Sequence, residues 1–451
     1  MNDNPHFPLP PAFVQRMEMQ LGQDAPAYFA ALEEPYFRGL RLNPRKTLSE
    51  PGIIDGIGEV IPWNAVSGRY LSRESTAGLS PLHEAGAYYI QEPSAMAPVS
   101  VLSPKPGERI LDLCAAPGGK SIQIADAIQN EGLLVCNEPV PSRAKILSRN
   151  IERMGVINAL VVSADPDQLK DVWTGLFDAI LVDAPCSGEG MFRRHPETRE
   201  QWNEQSPEGC ATRQKRILDA AWQMLSPGGR LCYSTCTLNT VENEAVVRYM
   251  LENHADAVSV PFSLSLEEGK TLEACDGMLH LYPHQLKGEG HFVALLKKQG
   301  ESERPDFDAA ARMLTPVRKE QLAAYTAFCD SVKADLPKPN ALFGECLLYC
   351  PPLPPLRSIK VLRAGLQLGA MKGKLFFPDH ALAMAPMTNS GFPCFDTDAA
   401  GAEAYLRGET LPCADALSGF MLVRYQGLAL GFGKASGGQI KNHYPKGLRR
   451  P

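Results

Sequence analysis

From residue 105 to residue 298, short apolar runs alternate with helical patterns, and nothing else in the chain restricts its fold as strongly. The apolar runs are RILDLC (109–114), LLVCNE (133–138), ALVVSAD (159–165), FDAILVD (177–183), GRLCYST (229–235) and HFVALLKK (291–298). Helical spacing marks 119–129, 141–154, 207–225 and 241–253. Strands that are apolar at successive residues are buried on both faces, and the intervening helices supply the cover. The pattern predicts an α/β fold built on a doubly wound, mostly parallel sheet.

The rest of the chain is organised around that unit. Residues 1–95 read as a small mixed module, with helical patterning broken at Pro26. The segment PYFRGLRLNPRKT then brings Arg38, Arg41, Arg45 and Lys46 close behind Tyr36 and Phe37. Charge alone leaves this segment open between a solvated loop and a phosphate-contacting arm. KKQGESERPDF (297–307) is polar enough for a linker, and LLYCPPLPPLRS (347–358) marks a second boundary region. The final stretch is locally basic, with Lys434, Lys441, Lys446, Arg449 and Arg450.

With 451 residues, 44% of them hydrophobic and 21% charged, the chain has material for several cores. A net charge of −6 excludes a simple nucleic-acid polycation. The stretch MNDNPHFPLPPAF lacks a basic region followed by an apolar one, and no run is long enough to span a bilayer. A cytoplasmic protein without membrane contact is expected. Its twelve cysteines then read as reduced thiols rather than a disulfide framework. Cys232/Cys236 and Cys346/Cys350 have suggestive spacing, but no matching pair lies close by, so no metal is expected.

RILDLCAAPGGKS is a strand entering a tight glycine turn and then a helix. Ligands of open α/β sheets bind beside such turns, outside the carboxyl ends of the strands. Gly118 and Gly119 allow close backbone approach, and the helix start offers free amides. A P-loop is disfavoured because its first glycine would fall at Cys114, and the dinucleotide G-x-G-x-x-G spacing is absent. The following strands end in Glu138, Asp165 and Asp183. An acid after the second strand suits two ribose hydroxyls, and Asp165 could accept from an adenine amino group. Single acids in such places are often only helix caps. Three on one rim would repel phosphates and suit a cationic sulfonium ligand, S-adenosylmethionine.

Cys186 and Cys236 follow apolar strands next to the glycine turn, each flanked by turn-forming or hydroxyl residues. Buried cysteines are usually packing residues, which suffices for Cys114, Cys136 and Cys232. A chemistry that needs a methyl donor and a thiol is methylation of a pyrimidine at carbon five. Thiolate attack on carbon six makes that carbon nucleophilic, and a base later removes its proton. Asp183 near ring nitrogen three would stabilise the charge built up during attack. The base must be flipped out or single-stranded. Geometry guessed from sequence does not decide which thiol attacks.

LDLCAAPGGKS, NEPVPSRAKILSRNIERMG, DAILVDAPCSGEGMFRR and LSPGGRLCYSTCTLNTVENE together resemble the Nol/Nop/Sun family of RNA (cytosine-5)-methyltransferases. YYIQEPSAM (88–96) and GEGHFVALLKK (288–298) fit its flanking motifs, so the resemblance is strong over about 85–298. RSIKVLRAGLQLGAMKGKLFFPDHALAMA and GGQIKNHYPKGLRR look like the carboxyl-terminal domains of the bacterial RsmF-type members, which act on small-subunit ribosomal RNA.

The resemblance implies a class-I, Rossmann-like methyltransferase domain over 96–300. It also implies an RNA-binding module over 1–95, an intermediate domain over 308–385 and a PUA-like RNA-binding domain over 386–451. Cys114, Ala115, Ala116, Pro117, Gly118, Gly119 and Lys120 would hold the methionine part of S-adenosylmethionine. Glu138 would bind the ribose, Asp165 the adenine side, and Arg143 joins the cofactor residues. Asp183 would stand between cofactor and target base. The family's Thr-Cys cysteine is the nucleophile, so attack falls to Cys236 and product release to Cys186. DNA (cytosine-5)-methyltransferases instead attack with a Pro-Cys cysteine. Arg193, Arg194, His195 and Arg199, just after the Cys186 loop, are expected to contact phosphates. The expected product is 5-methylcytidine in small-subunit ribosomal RNA. A transfer-RNA target and an assembly factor without catalysis are the rivals.

Overall fold

The computed structural model describes residues 7–301, 314–389 and 391–451. The expected linker lies outside the described residues from position 302 onward.

Five strands run parallel at the centre: β1 (Arg109–Asp112), β2 (Leu133–Asn137), β3 (Ala159–Ser163), β4 (Phe177–Asp183) and β5 (Leu225–Thr235). A sixth, β6 (His291–Lys298), pairs antiparallel with β5. The spatial order is β6-β5-β4-β1-β2-β3. The expected mostly parallel α/β sheet is therefore present. Chain direction across the sheet reverses between β1 and β4, which makes the gap outside their carboxyl ends the natural ligand crevice.

Successive residues on each strand enter different cores. Ile180 and Val182 pack on one face of the sheet, Ala179 and Leu181 on the other, and all four are fully buried. This two-sided burial is why β4 reads as an unbroken apolar run. Helices Gly119–Ile128, Pro141–Arg153, Ser206–Met224 and Glu244–Asn253 lie between the strands in sequence. In Pro141–Arg153 the buried residues are Ala144, Leu147 and Ile151, one stripe of the helix.

The amino-terminal segment forms helices Pro11–Leu21 and Ala25–Glu33 and a four-stranded antiparallel sheet. Pro26 lies in the first turn of the second helix, where its missing N–H is not needed. Strand Lys360–Ala364 joins the central sheet antiparallel to β3. The proline-rich stretch before it packs inward. Leu353 and Leu356 are buried, and the Pro355 carbonyl accepts from Trp173 Nε1 at 2.7 Å. A four-stranded sheet takes Ala341–Phe343 and Cys346–Tyr349 from before that strand and Leu366–Lys372 and Leu375–Pro378 from after it, and a five-stranded sheet containing Gly419–Tyr425, Leu428–Ser436 and Gln439–Asn442 follows. Within the basic carboxyl-terminal stretch, Lys434 and Lys441 lie on strands, whereas Lys446, Arg449 and Arg450 follow the last strand, and Ile440 and Tyr444 are buried.

Candidate active site

The sheet reversal places the glycine turn after β1 against the end of β4. Gly118 adopts φ +116°, and a Cβ there would meet Leu147 Cδ1 at 3.1 Å. A Cβ on Gly119 would come within 3.0 Å of the Tyr89 ring. The turn needs glycine at 118 for its backbone conformation, and at 119 the Tyr89 and Gln91 side chains pack close to where a Cβ would stand. It borders a cavity of about 400 Å³ lined by Cys114, Ala115, Ala116, Pro117, Gly119 and Lys120, with Asp112, Asp183, Tyr89 and Gln91 among its other walls.

Asp183 is the most heavily engaged carboxylate there. Its Oδ2 accepts from Lys120 Nζ at 2.7 Å and its Oδ1 from Ser234 Oγ at 2.7 Å. His291 Nε2 lies 3.7 Å from Oδ1. Burial would push this carboxyl up, but Lys120 and His291 outweigh burial and hold it well below the usual range. Lys120 is itself buried, and the negative charges of Asp183 and Cys236 hold its pKa above the ordinary lysine value.

The two cysteine sulfurs stand 3.2 Å apart. The hydrogen bond to Cys236, together with burial, pushes the Cys186 thiol far above its ordinary value. Cys186 is thereby held as the thiol, in hydrogen-bond contact with the Cys236 sulfur. The loops carrying them are tied by Glu242, which is fully buried. Its carboxylate accepts from Ser187 N at 3.0 Å, Ser187 Oγ, Asn239 Nδ2 at 2.7 Å and Gln214 Nε2 at 2.8 Å. Gly190 N donates to the Cys236 carbonyl at 2.9 Å. A Cβ on Gly190 would fall 2.2 Å from the Gly290 carbonyl oxygen, so this crossing excludes side chains.

The remaining expected cofactor residues separate into two groups. Glu138 is buried, accepts from Val140 N at 3.0 Å and lies 3.5 Å from Arg143 Nη1. Arg143 Nη2 donates to the Ala116 carbonyl at 3.0 Å, so it connects Glu138 to the glycine turn. Asp165 caps the short helix Pro166–Lys170 and pairs with Arg216 at 3.2 Å. Glu138, Arg143 and Asp165 are not among the cavity walls named above.

Three residues of this centre were not expected from the sequence. Asp112 ends β1, is buried, and accepts from Ser121 Oγ at 2.6 Å, while its Oδ1 has no partner. Burial pushes its pKa up to about 7. Its position as the last residue of the first strand was the available signal. Glu242 and His291 gave none, because each reaches the site through tertiary pairing.

The basic segments differ from expectation. Arg193 is buried in an ion pair with Glu289 at 2.8 Å and donates to the Ala31 carbonyl. Arg199 donates to the carbonyls of Phe192 and Phe7. Both guanidinium groups are used inside the protein, and for buried Arg193 internal partners are obligatory. Arg194 and His195 do line the cavity. Arg41 is fully buried against Asp126, Gln91 and the Gly119 carbonyl. Arg45 pairs with Asp126 at 2.8 Å, Lys46 donates to the Ala85 and Arg153 carbonyls, and Arg38 to the Arg73 and Ser75 carbonyls. All four basic side chains of this segment are thus engaged within the protein, while Tyr36, Pro44 and Thr47 are exposed.

A cofactor with a methionine part, a ribose and a sulfonium centre fits these residues. The glycine turn borders the cavity, and Asp112, which has one carboxylate oxygen unpartnered, and Asp183 are among the same walls. Among the described residues, no helix is long and apolar enough to cross a membrane.

Comparison with known proteins agrees along the whole chain. Residues 99–297 match the family described as 16S rRNA methyltransferase RsmB/F. Residues 9–93 match the N-terminal domain of 16S rRNA methyltransferase RsmF, 327–385 the RsmF rRNA methyltransferase first C-terminal domain, and 392–450 the methyltransferase RsmF PUA domain. The ribosomal RNA small subunit methyltransferase F of Erwinia tasmaniensis is 34% identical, over 98% of this chain and 97% of its own. That of Serratia proteamaculans is also 34% identical, over 98% and 97%. A methyltransferase homologue from Pyrococcus horikoshii superposes with a TM-score of 0.53 at 29% identity, covering 64% of this chain and all of its own. The crevice, the paired thiols and these relatives agree: the chain belongs to the RsmB/F family of 16S rRNA methyltransferases and is an S-adenosylmethionine-dependent RNA methyltransferase.

Proposed function

We propose that this chain methylates carbon five of a cytosine in small-subunit ribosomal RNA, with Cys236 as the nucleophile. The observation that carries the reading is the pair of sulfurs 3.2 Å apart, next to the Asp183–Lys120 ion pair. S-adenosylmethionine supplies an electrophilic methyl group.

The protein's own part follows from its charges. The Cys236 thiolate forms a bond to carbon six, and the ring electrons shift toward carbon five and nitrogen three. Asp183 is held ionised, so it accepts a hydrogen bond and has no proton to give nitrogen three. Positive charge near the ring comes from Lys120, fixed on Asp183 at 2.7 Å. This moves charge stabilisation from the acid to its lysine partner. After methylation, a water molecule acting as base takes the carbon-five proton, the C–H electron pair re-forms the double bond between carbons five and six, and the sulfur–carbon bond breaks with its electron pair returning to Cys236. Cys186 is protonated and placed to meet the departing sulfur. Glu138 with Arg143 would hold the ribose side of the cofactor, and Asp165 the adenine side. Domain boundaries near 95, 300 and 386 suit this division of labour, and the cytoplasm, where bacterial ribosomes assemble, is the expected compartment.

Two variants test the assignment. Cys236→Ala abolishes methyl transfer to a small-subunit rRNA transcript while S-adenosylmethionine still binds by calorimetry. Retained transfer would sink the nucleophile assignment. Cys186→Ala accumulates an RNA–protein adduct that survives denaturing electrophoresis. Normal turnover without adduct would place release elsewhere.

A further inference from the structure

A second contact runs parallel to the pair of sulfurs. Ser187 and Thr237, the residues that follow the two cysteines, meet through their hydroxyl oxygens at 2.8 Å. The two cysteine loops therefore touch at successive rungs, Cys186 with Cys236 and Ser187 with Thr237. Glu242 closes the second rung.

The direction of its hydrogen bonds follows from counting protons. Glu242 Oε1 accepts from Ser187 Oγ and from Asn239 Nδ2 at 2.7 Å, and Oε2 accepts from Ser187 N at 3.0 Å and Gln214 Nε2 at 2.8 Å. A carboxylate has about four lone-pair sites, so these four donors occupy it fully, and all four are uncharged. Asn239 Nδ2 also donates to Thr237 Oγ1 at 2.9 Å. Ser187 gives its single hydroxyl proton to Glu242, so the Thr237 hydroxyl must donate to Ser187. The chain of donors thus runs one way, from Asn239 through Thr237 and Ser187 into Glu242. Gln214 Nε2 donates to the Pro185 carbonyl as well, at 3.1 Å. The residues on either side of Cys186 are both held by this network.

The two loops depend on it unequally. Cys236 directly follows β5, whose last residue is Thr235, so the sheet itself places it. Cys186 lies three residues beyond β4, ahead of Gly188 at φ +74°, and no strand fixes it. The Glu242 charge also adds to the hydrogen bond from Cys236 and the burial that hold Cys186 as the thiol.

We propose that Glu242 is a positioning residue for product release, anchoring the Cys186 loop so that its thiol stays against the Cys236 sulfur. As the sulfur–carbon bond breaks, the electron pair stays on Cys236 and the Cys186 S–H donates a hydrogen bond to it. The proposal rests on the reading that Cys236 attacks and Cys186 assists release.

The test uses the full chain, a small-subunit rRNA transcript and S-adenosylmethionine with a labelled methyl group, quenched into denaturant at intervals. Methylated RNA–protein adduct and methylated free RNA are followed separately. In Glu242→Gln the amide nitrogen faces two donors and the loop loses its anchor. Adduct then forms at a rate close to that of the unaltered chain, while release slows by about tenfold to a hundredfold. Ser187→Ala removes the second rung and leaves Glu242 three donors, so it gives a smaller slowing of release alone; it decides the question where Glu242→Gln does not fold. Added to Cys186→Ala, Glu242→Gln slows release no further, because both changes remove the same contact. Additive losses, or adduct formation slowed as much as release, overturn the proposal and leave Glu242 a general support of the fold. Adduct accumulation in Cys186→Ala with normal release in the other two variants overturns it alone. Normal release by Cys186→Ala overturns the reading of Cys186 and this proposal with it.

Discussion

The chain has two basic regions that look alike in sequence and do opposite things in space. The amino-terminal one, Arg38 to Lys46, turns its charges inward, as Arg193 and Arg199 also do. The carboxyl-terminal one presents Lys434 and Lys441 to solvent from adjacent strands. Both contain aromatics at short range, and both sit in an acidic protein. The difference lies in what the backbone places opposite them. Asp126 projects from the helix after the glycine turn and meets Arg41 and Arg45, whereas no acid in the described structure pairs with Lys434 or Lys441. Charge that is answered internally builds the site, and charge left unanswered is available to a partner.

The sharpest way to break this comparison is at Arg41. Its guanidinium binds Asp126, Gln91 and the carbonyl of Gly119, so it fastens the amino-terminal module to the cofactor turn. Arg41→Ala leaves Asp126 with Arg45 alone, and removing one partner of a buried pair costs about 3–5 kcal/mol. Urea unfolding should register that loss. A cost near that of an ordinary surface substitution would place Arg41 with the lysines of the carboxyl-terminal surface.

Lys46 gives a smaller, pH-dependent effect. Burial, reinforced by repulsion from Arg153 and Arg45, holds its pKa well below the ordinary lysine value. Between that depressed value and the unfolded one, near 10.4, the unfolded chain binds more protons. Stability due to this group therefore rises with pH through the alkaline window. Relative to Lys46→Met, the unaltered chain should gain stability between pH 8 and pH 10, read from urea midpoints. Parallel curves for the two proteins would mean that Lys46 is not buried as described.

The same contrast explains what sequence can convey. FDAILVD is recognisable as a strand because two-sided burial leaves a local signature, and it spans β4 from first residue to last. The glycine turn and the paired cysteines are equally local, since each motif carries its own neighbours. His291 is different. It opens the apolar run of β6, and only the antiparallel pairing of Phe292 with Thr235 brings it to Asp183. Glu242 is one of several acids after Cys236, and its role depends on Gln214, contributed by a helix far off in sequence. Arg193 resembles a phosphate ligand until Glu289, almost a hundred residues later, is found beside it. Proximity created by folding leaves no periodicity to read.

The smallest expected effect concerns the unanswered lysines. Lys434 and Lys441 stand directly opposite each other without an acidic partner among the described residues, so each is slightly unfavourable in the free protein. Lys441→Gln should then raise stability, by about half a kcal/mol or less, because it relieves a directly opposed like charge. Salt distinguishes this origin from a packing change, since screening shortens the reach of exposed charges as ionic strength rises. The gain should appear in urea midpoints at low salt and vanish at high salt. A substitution that destabilises the free protein at every salt concentration would show that Lys441 belongs with Arg41, as a structural charge whose partner lies within the fold.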